Sequence, residues 1–138
     1  MRVAVSTENE KEITRDHFGE GKFFLIYEFD SEGYRLVEKR ENTSPEEEEH
    51  GSEIKAKGIS AILKDVPILL GYQFGPNIYR IKEKFLPVVS RERIINNALE
   101  LLWRNYNTLQ EYASERGIVL ILDGGGLKKI KLKDGKDF

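Results

Sequence analysis

Two histidines, His17 and His50, are the side chains with the clearest capacity for chemistry in this sequence. A neutral imidazole is the commonest nitrogen ligand for a transition metal, so both are candidate metal contacts. Two imidazoles alone do not make a metal site, and each also reads as an ordinary loop histidine. His17 stands apart through its neighbours: Phe18 can fix the loop against a core, and Gly19 permits a positive φ or a close backbone approach. The chain has no cysteine, which removes disulfides, thiolate ligands and thiol nucleophiles together. No serine sits on a glycine-flanked elbow of the kind that activates a nucleophile. Binding is therefore better supplied with residues than catalysis is.

A second element is Gly71-Tyr72-Gln73-Phe74-Gly75-Pro76-Asn77. It follows an apolar run and opens a helix, with Pro76 suited to the first helical position. Unpaired amides at such a start favour a phosphate, a carboxylate or an anionic cluster. The lysine and spacing of a phosphate loop are missing, and a plain strand-to-helix turn accounts for the same residues. The run Glu46 to Glu49 reads as a solvated loop, because consecutive glutamates point in different directions. Trp103, Tyr106 and Tyr112 share helical spacing with leucines and read as core or a dimer face rather than a platform for bases. With 22 basic against 24 acidic residues, no global field draws the chain to nucleic acid or to an anionic membrane.

These residues need elements to position them. At 138 residues, with 39% hydrophobic and 33% charged, the chain fits one α/β domain with a single core. Arg2 to Val5 reads as a short buried strand. Phe23 to Phe29 and Tyr34 to Arg40 read as a β-hairpin whose charged second strand closes one edge of a sheet. A helix is expected from about Ser52, its cap, with Ile54, Gly58, Ala61 and Ile62 on one face. Val66 to Leu70 and Pro87 to Val89 are strands flanking a short helix with Ile78, Ile81 and Phe85. Ser90 is the expected cap of a long helix running through Ile94, Ala98, Leu101, Leu102, Tyr106, Leu109 and Tyr112 towards Gly117, with a kink at residues 105–108. Ile118 to Leu122 and Leu127 to Leu132 pair as a terminal hairpin across Asp123-Gly124-Gly125-Gly126. The order implies a mixed sheet with helices on both faces, ligands at the carboxyl ends of its strands, and Ser6 to Asn9, the His17 loop and Gly71 to Asn77 gathered there.

The residues Arg2-Val3-Ala4-Val5-Ser6-Thr7, Ile13, His17-Phe18-Gly19, Phe23 and Ile26-Tyr27 come in a distinctive order. Followed by His50-Gly51, Ala61-Ile62-Leu63, Val66 to Leu70 and Gly75-Pro76-Asn77, they resemble the dinitrogenase iron-molybdenum cofactor biosynthesis family, as far as about Leu102. The resemblance implies a three-layer α/β/α, RNase H-like fold; with the terminal hairpin, which lies outside the resemblance, the expected architecture is a mixed five-stranded sheet plus a C-terminal β-hairpin. It implies a protein that binds or carries an iron-sulfur or iron-molybdenum type cluster, or its precursor, transiently and without catalysis. Cluster-donating or cluster-accepting proteins are then its partners, and the histidine matching His17 is a candidate cluster contact. The departures are the aromatic segment Gly71-Tyr72-Gln73-Phe74, where the family has a glycine-rich one, and the lack of a cysteine to ligate iron.

The expected site is thus His17, Phe18, Gly19, Gly75, Pro76 and Asn77, with His17 and His50 as metal contacts. Residues 1–105 form the family-like part, and 106–138 an extension of the same domain that serves dimerisation, as a homodimer, or a private partner. Because the sheet is expected to be complete without the hairpin, removing everything after Gly117 should leave the main domain folded but change its association. No segment reaches the roughly 20 apolar residues of a membrane span, and the default location is cytoplasmic. Two rival functions stay open. An RNase H-like metal-dependent nuclease or phosphotransferase would need carboxylates starting on the first strand, where Val3, Ala4 and Val5 supply none. A ligand-free regulatory interaction module would need no site at all.

Overall fold

The computed structural model describes residues 1–46 and 53–132. His50, Gly51 and the expected cap Ser52 lie outside them. Seven strands, β1 (Arg2–Thr7), β2 (Phe23–Asp30), β3 (Gly33–Glu41), β4 (Ile68–Gly71), β5 (Leu86–Ser90), β6 (Val119–Asp123) and β7 (Gly126–Ile130), form one sheet in the order β3-β2-β1-β4-β5-β6-β7. The inner pairs β1–β4, β4–β5 and β5–β6 are parallel, and the outer pairs are antiparallel. Among the described residues there are four helices, α1 (Glu53–Ile62), α2 (Ile78–Lys84), α3 (Ile95–Arg104) and α4 (Tyr106–Tyr112).

The strands alternate their side chains between two apolar layers, as the pleat requires. On one face Val3, Val5, Leu70 and Val88 pack with Ile95, Leu99 and Leu102 of α3 and Leu109 of α4. On the other, Ala4, Leu69 and Val89 pack with Ile59 of α1 and Ile78 and Ile81 of α2. This is the expected three-layer arrangement, with β1 buried in the middle of the sheet. Trp103, Tyr106 and Tyr112 are half-buried against the α3 and α4 layer.

The expected five strands plus a separate hairpin must be corrected. The hairpin is part of the sheet: β6 continues the parallel ladder of β5 through Val88↔Leu120, Val89↔Ile121 and Ser90↔Leu122. Val119 enters one core layer and Leu120 and Leu122 the other, so β6 is buried on both faces like an inner strand. Ser90 is likewise no helix cap. It ends β5, and its hydroxyl donates to the Glu92 carbonyl (2.9 Å), while α3 begins only at Ile95 and leaves Ile94 half exposed. The long helix breaks at Asn105, whose amide donates to the Leu101 carbonyl (2.9 Å). In α1 the buried stripe is Ala56 and Ile59, joined by Leu63, and Ile54 faces solvent.

At the β3 edge the register with β2 shifts. Ile26 faces Glu38 and Tyr27 faces Leu36, which leaves Val37 as a bulge. The far end of β3 is tied to the helical layer through Arg40. Its guanidinium donates to both carboxylate oxygens of Asp65 (2.7 and 2.8 Å) and to the Ile62 carbonyl at the end of α1 (2.8 Å). Arg40's hydrogen bonds hold the Asp65 carboxyl down at about 2, from an ordinary 3.8. A depressed folded-state pKa means stability that is full above the unfolded value and lost as pH falls through about 2. Asp65 is half exposed, so the effect is about 1 kcal/mol or less. Asp65→Asn should therefore be less stable than wild type in urea at neutral pH, with the gap closing on acidification through about 2. A gap that stays constant with pH would show that the ionised carboxylate contributes nothing.

Candidate functional site

The site is built on the carboxyl ends of β1 and β4. Beyond Thr7 the chain makes a tight turn in which the Asn9 side-chain oxygen accepts the amides of Lys11 and Glu12 (3.0 and 2.9 Å). It returns at Ile13, fully buried, whose amide donates to the Arg93 carbonyl (2.7 Å). The loop that follows carries His17 and a 3₁₀ turn, Phe18–Glu20. Phe18 is fully buried, stacked between Phe24 and Phe74 at centroid distances of 5.4 and 5.1 Å. Gly19 lies close against α1: a Cβ there would meet the end of the Ile59 side chain, which would have to shift, and lie 3.1 Å from the stem of Lys55.

Polar side chains from four parts of the chain hold this loop. Buried Ser6, in β1, donates its hydroxyl to the Phe18 carbonyl (2.6 Å). The Asn42 amide, just past β3, donates to the carbonyls of Gly19 and Gly21 (both 2.7 Å). Lys55, buried in α1, approaches Glu20 of the 3₁₀ turn (3.6 Å). From the end of β4, the Gln73 carbonyl accepts the Phe18 amide (2.8 Å), and the Gln73 side chain donates to the Arg15 carbonyl (2.7 Å).

The loop after β4 supplies the floor beneath His17. Gly75 has φ +70°, and a Cβ built on it would lie 2.5 Å from both Cε1 and Nδ1 of the imidazole. The His17 ring thus rests directly on the Gly75 backbone, and it is half-buried. The amides of Ile78 and Tyr79 donate to the carbonyls of Gly75 and Pro76 (3.1 and 3.4 Å), and that of Arg80 to Asn77 (3.0 Å). The amides of the first three helical residues, Ile78, Tyr79 and Arg80, are thus engaged within this turn. Pro76 precedes the helix rather than opening it, since α2 begins at Ile78 after Asn77. Asn77 is buried, and its side-chain oxygen accepts from Arg80 (3.0 Å).

The structure therefore brings His17, Phe18, Gly19 and Gly75 together, with Pro76 and Asn77 in the adjoining turn. A groove of about 540 Å³ opens on the Arg15–Asp16 side of the loop, with Glu8, Glu12, Asp16, Arg15, Arg93 and Gln73 among its lining residues; none of the six expected site residues lines it. Its charges are mixed, and Arg93 approaches Glu12 (3.6 Å). Among the described residues, no group of three or more His, Cys, Asp or Glu side chains could hold a metal ion. β1 carries no carboxylate, so the nuclease reading lacks its first ligand. Sequence reasoning did not single out Asn42, Lys55 or Gln73 as individual residues of the site. Each acts through a contact between segments distant in the chain, and their residue types alone give no signal.

Gly75 can be tested against a second glycine of like conformation. Gly117 has φ +79° and nothing within 4 Å of a built Cβ. Alanine at either position incurs roughly 1–2 kcal/mol of left-handed strain, but only Gly75→Ala must push the imidazole aside. Both variants should melt roughly 5 °C lower, and NMR spectra should show a changed His17 ring environment only in Gly75→Ala. Equal ring environments in the two variants would show that Gly75 is not the floor under His17.

Among the described residues, no helix is long and apolar enough to cross a membrane. No curated protein matches the sequence. A family model described as dinitrogenase iron-molybdenum cofactor matches residues 1–104, a span holding β1 to β5, the His17 loop and the Gly75 turn. The chain belongs to the dinitrogenase iron-molybdenum cofactor family.

Proposed function

We propose that this protein is a non-catalytic carrier of an iron-sulfur or iron-molybdenum type cluster, or of its precursor, and that His17 is the contact it offers. The observation that carries this reading is the half-buried imidazole held on the Gly75 backbone by a loop tied to β1, β3 and β4. A preassembled cluster brings its own sulfides and needs only an open metal position, which one imidazole nitrogen can fill. The donor set fits that cargo better than a bare ion, which would need three or four protein ligands in a closed site. Attachment through one ligand also favours release, as handing the cargo to an accepting protein requires. The family supports the cluster as cargo, and the order β3-β2-β1-β4-β5 with β2 antiparallel supports reading the sheet as RNase H-like.

The experiment is anaerobic isolation from the native organism, followed by metal, sulfide and ultraviolet-visible analysis. Iron with acid-labile sulfide and visible charge-transfer absorption is the expected result. If the isolated protein is free of metal, and also fails to retain a synthetic thiolate-capped iron-sulfide cubane through gel filtration, the carrier reading is wrong.

A further inference from the structure

We propose that Gln73 is the positioning residue for the His17 imidazole; its importance for the cargo rests on the carrier reading above. Gln73 grips the chain on both sides of His17. Its backbone carbonyl accepts the Phe18 amide (2.8 Å), and its side-chain amide donates to the Arg15 carbonyl (2.7 Å). A parallel bridge pairs residues 17 and 73 themselves. The other side-chain ties, Ser6 to Phe18 and Asn42 to Gly19 and Gly21, act after His17 in the chain, while before it the backbone is held up to Thr14, whose amide donates to the Ser6 carbonyl (2.9 Å). Beyond Thr14, Arg15 and Asp16 are exposed. Among the described residues, the Gln73 side chain ties Arg15 to another element, alongside the backbone bridge between residues 17 and 73.

The consequence lies in how the ring is aimed. Gln73 and Gly75 are two residues apart in one turn, so the residue that grips the loop and the residue that floors the ring move as a unit. Replacing the Gln73 amide by an apolar group of similar length leaves the backbone hydrogen bond intact and frees only the segment before His17. The Arg15 carbonyl can then turn to water, so the fold loses little. What is lost is the fixed direction of the imidazole.

The test is Gln73→Met, read first without cargo. In the wild type the His17 ring protons should show a strong nuclear Overhauser effect to the Gly75 α-protons, and in Gln73→Met that signal should weaken while cooperative melting is retained. Affinity for the thiolate-capped cubane should fall about three- to tenfold, the equivalent of one neutral hydrogen bond. An undiminished signal overturns the proposal whatever the affinities. So does an unchanged affinity in Gln73→Met when His17→Ala has lost binding. If His17→Ala binds the cubane as wild type does, the carrier reading fails instead, and the cargo-free signal alone decides whether Gln73 positions the ring.

Discussion

A chain ending at Gly117 is expected to lose cooperative unfolding altogether. The cut removes Ile118, Val119, Leu120 and Leu122, all at most 3% exposed, and burial of each such side chain is worth roughly 1.5–3 kcal/mol. Together they contribute on the order of 6–12 kcal/mol, comparable with the whole stability of an ordinary domain. The cut also uncovers β5 as a new edge, with the amides and carbonyls that paired with residues 120–122 left open. An apolar inner strand exposed in this way is a template for association. The truncated chain should be insoluble, or give a broad melt without a transition. A sigmoidal melt within a few degrees of the full-length protein would mean that β6 adds little to the fold.

The second large effect concerns the cargo. His17→Ala should lower affinity for an iron-sulfide cubane by at least tenfold, because even indirect supporting partners of a metal ligand are worth about 10–100-fold. The fold should be nearly indifferent: the ring is half-buried on a glycine backbone, and truncating it leaves Phe18 in its stack with Phe24 and Phe74. Titration of both proteins with the cubane under anaerobic conditions, alongside thermal melts, provides the measurement. Equal affinity in two folded proteins would remove His17 from the site and leave the family membership standing without it.

The sequence made some of this legible, and the reason differs element by element. Val3 to Val5, Phe23 to Phe29 and Val66 to Leu70 are apolar runs whose lengths suit strands, and β1, β2 and β4 lie there, with β4 beginning at Ile68. Ile118 to Leu122 is a run of the same kind. Pairing it only with its sequence neighbour overlooked what an uninterrupted apolar strand demands, which is cover on both faces. In α1 two stripes compete at helical spacing, and the core took Ala56, Ile59 and Leu63. Ile54 is exposed, while Lys55 is buried beside Glu20. At the site, the resemblance picked out His17-Phe18-Gly19 and Gly75-Pro76-Asn77, and the topology suggested that they meet. That the glycine would lie beneath the imidazole is a matter of side-chain direction and a positive φ, neither of which is written in residue type.

The bulge at Val37 bears on what happens when many copies are crowded together. Leu36 and Val37 are 53% and 40% exposed on a nine-residue outer strand, a combination that would otherwise nucleate strand-on-strand stacking between molecules. An incoming strand needs an unbroken two-residue repeat to copy, and the register shift opposite Ile26 and Tyr27 interrupts that repeat midway. Fibrous growth at this border should thereby be disfavoured by backbone geometry as well as by the charges of Arg35, Glu38 and Lys39.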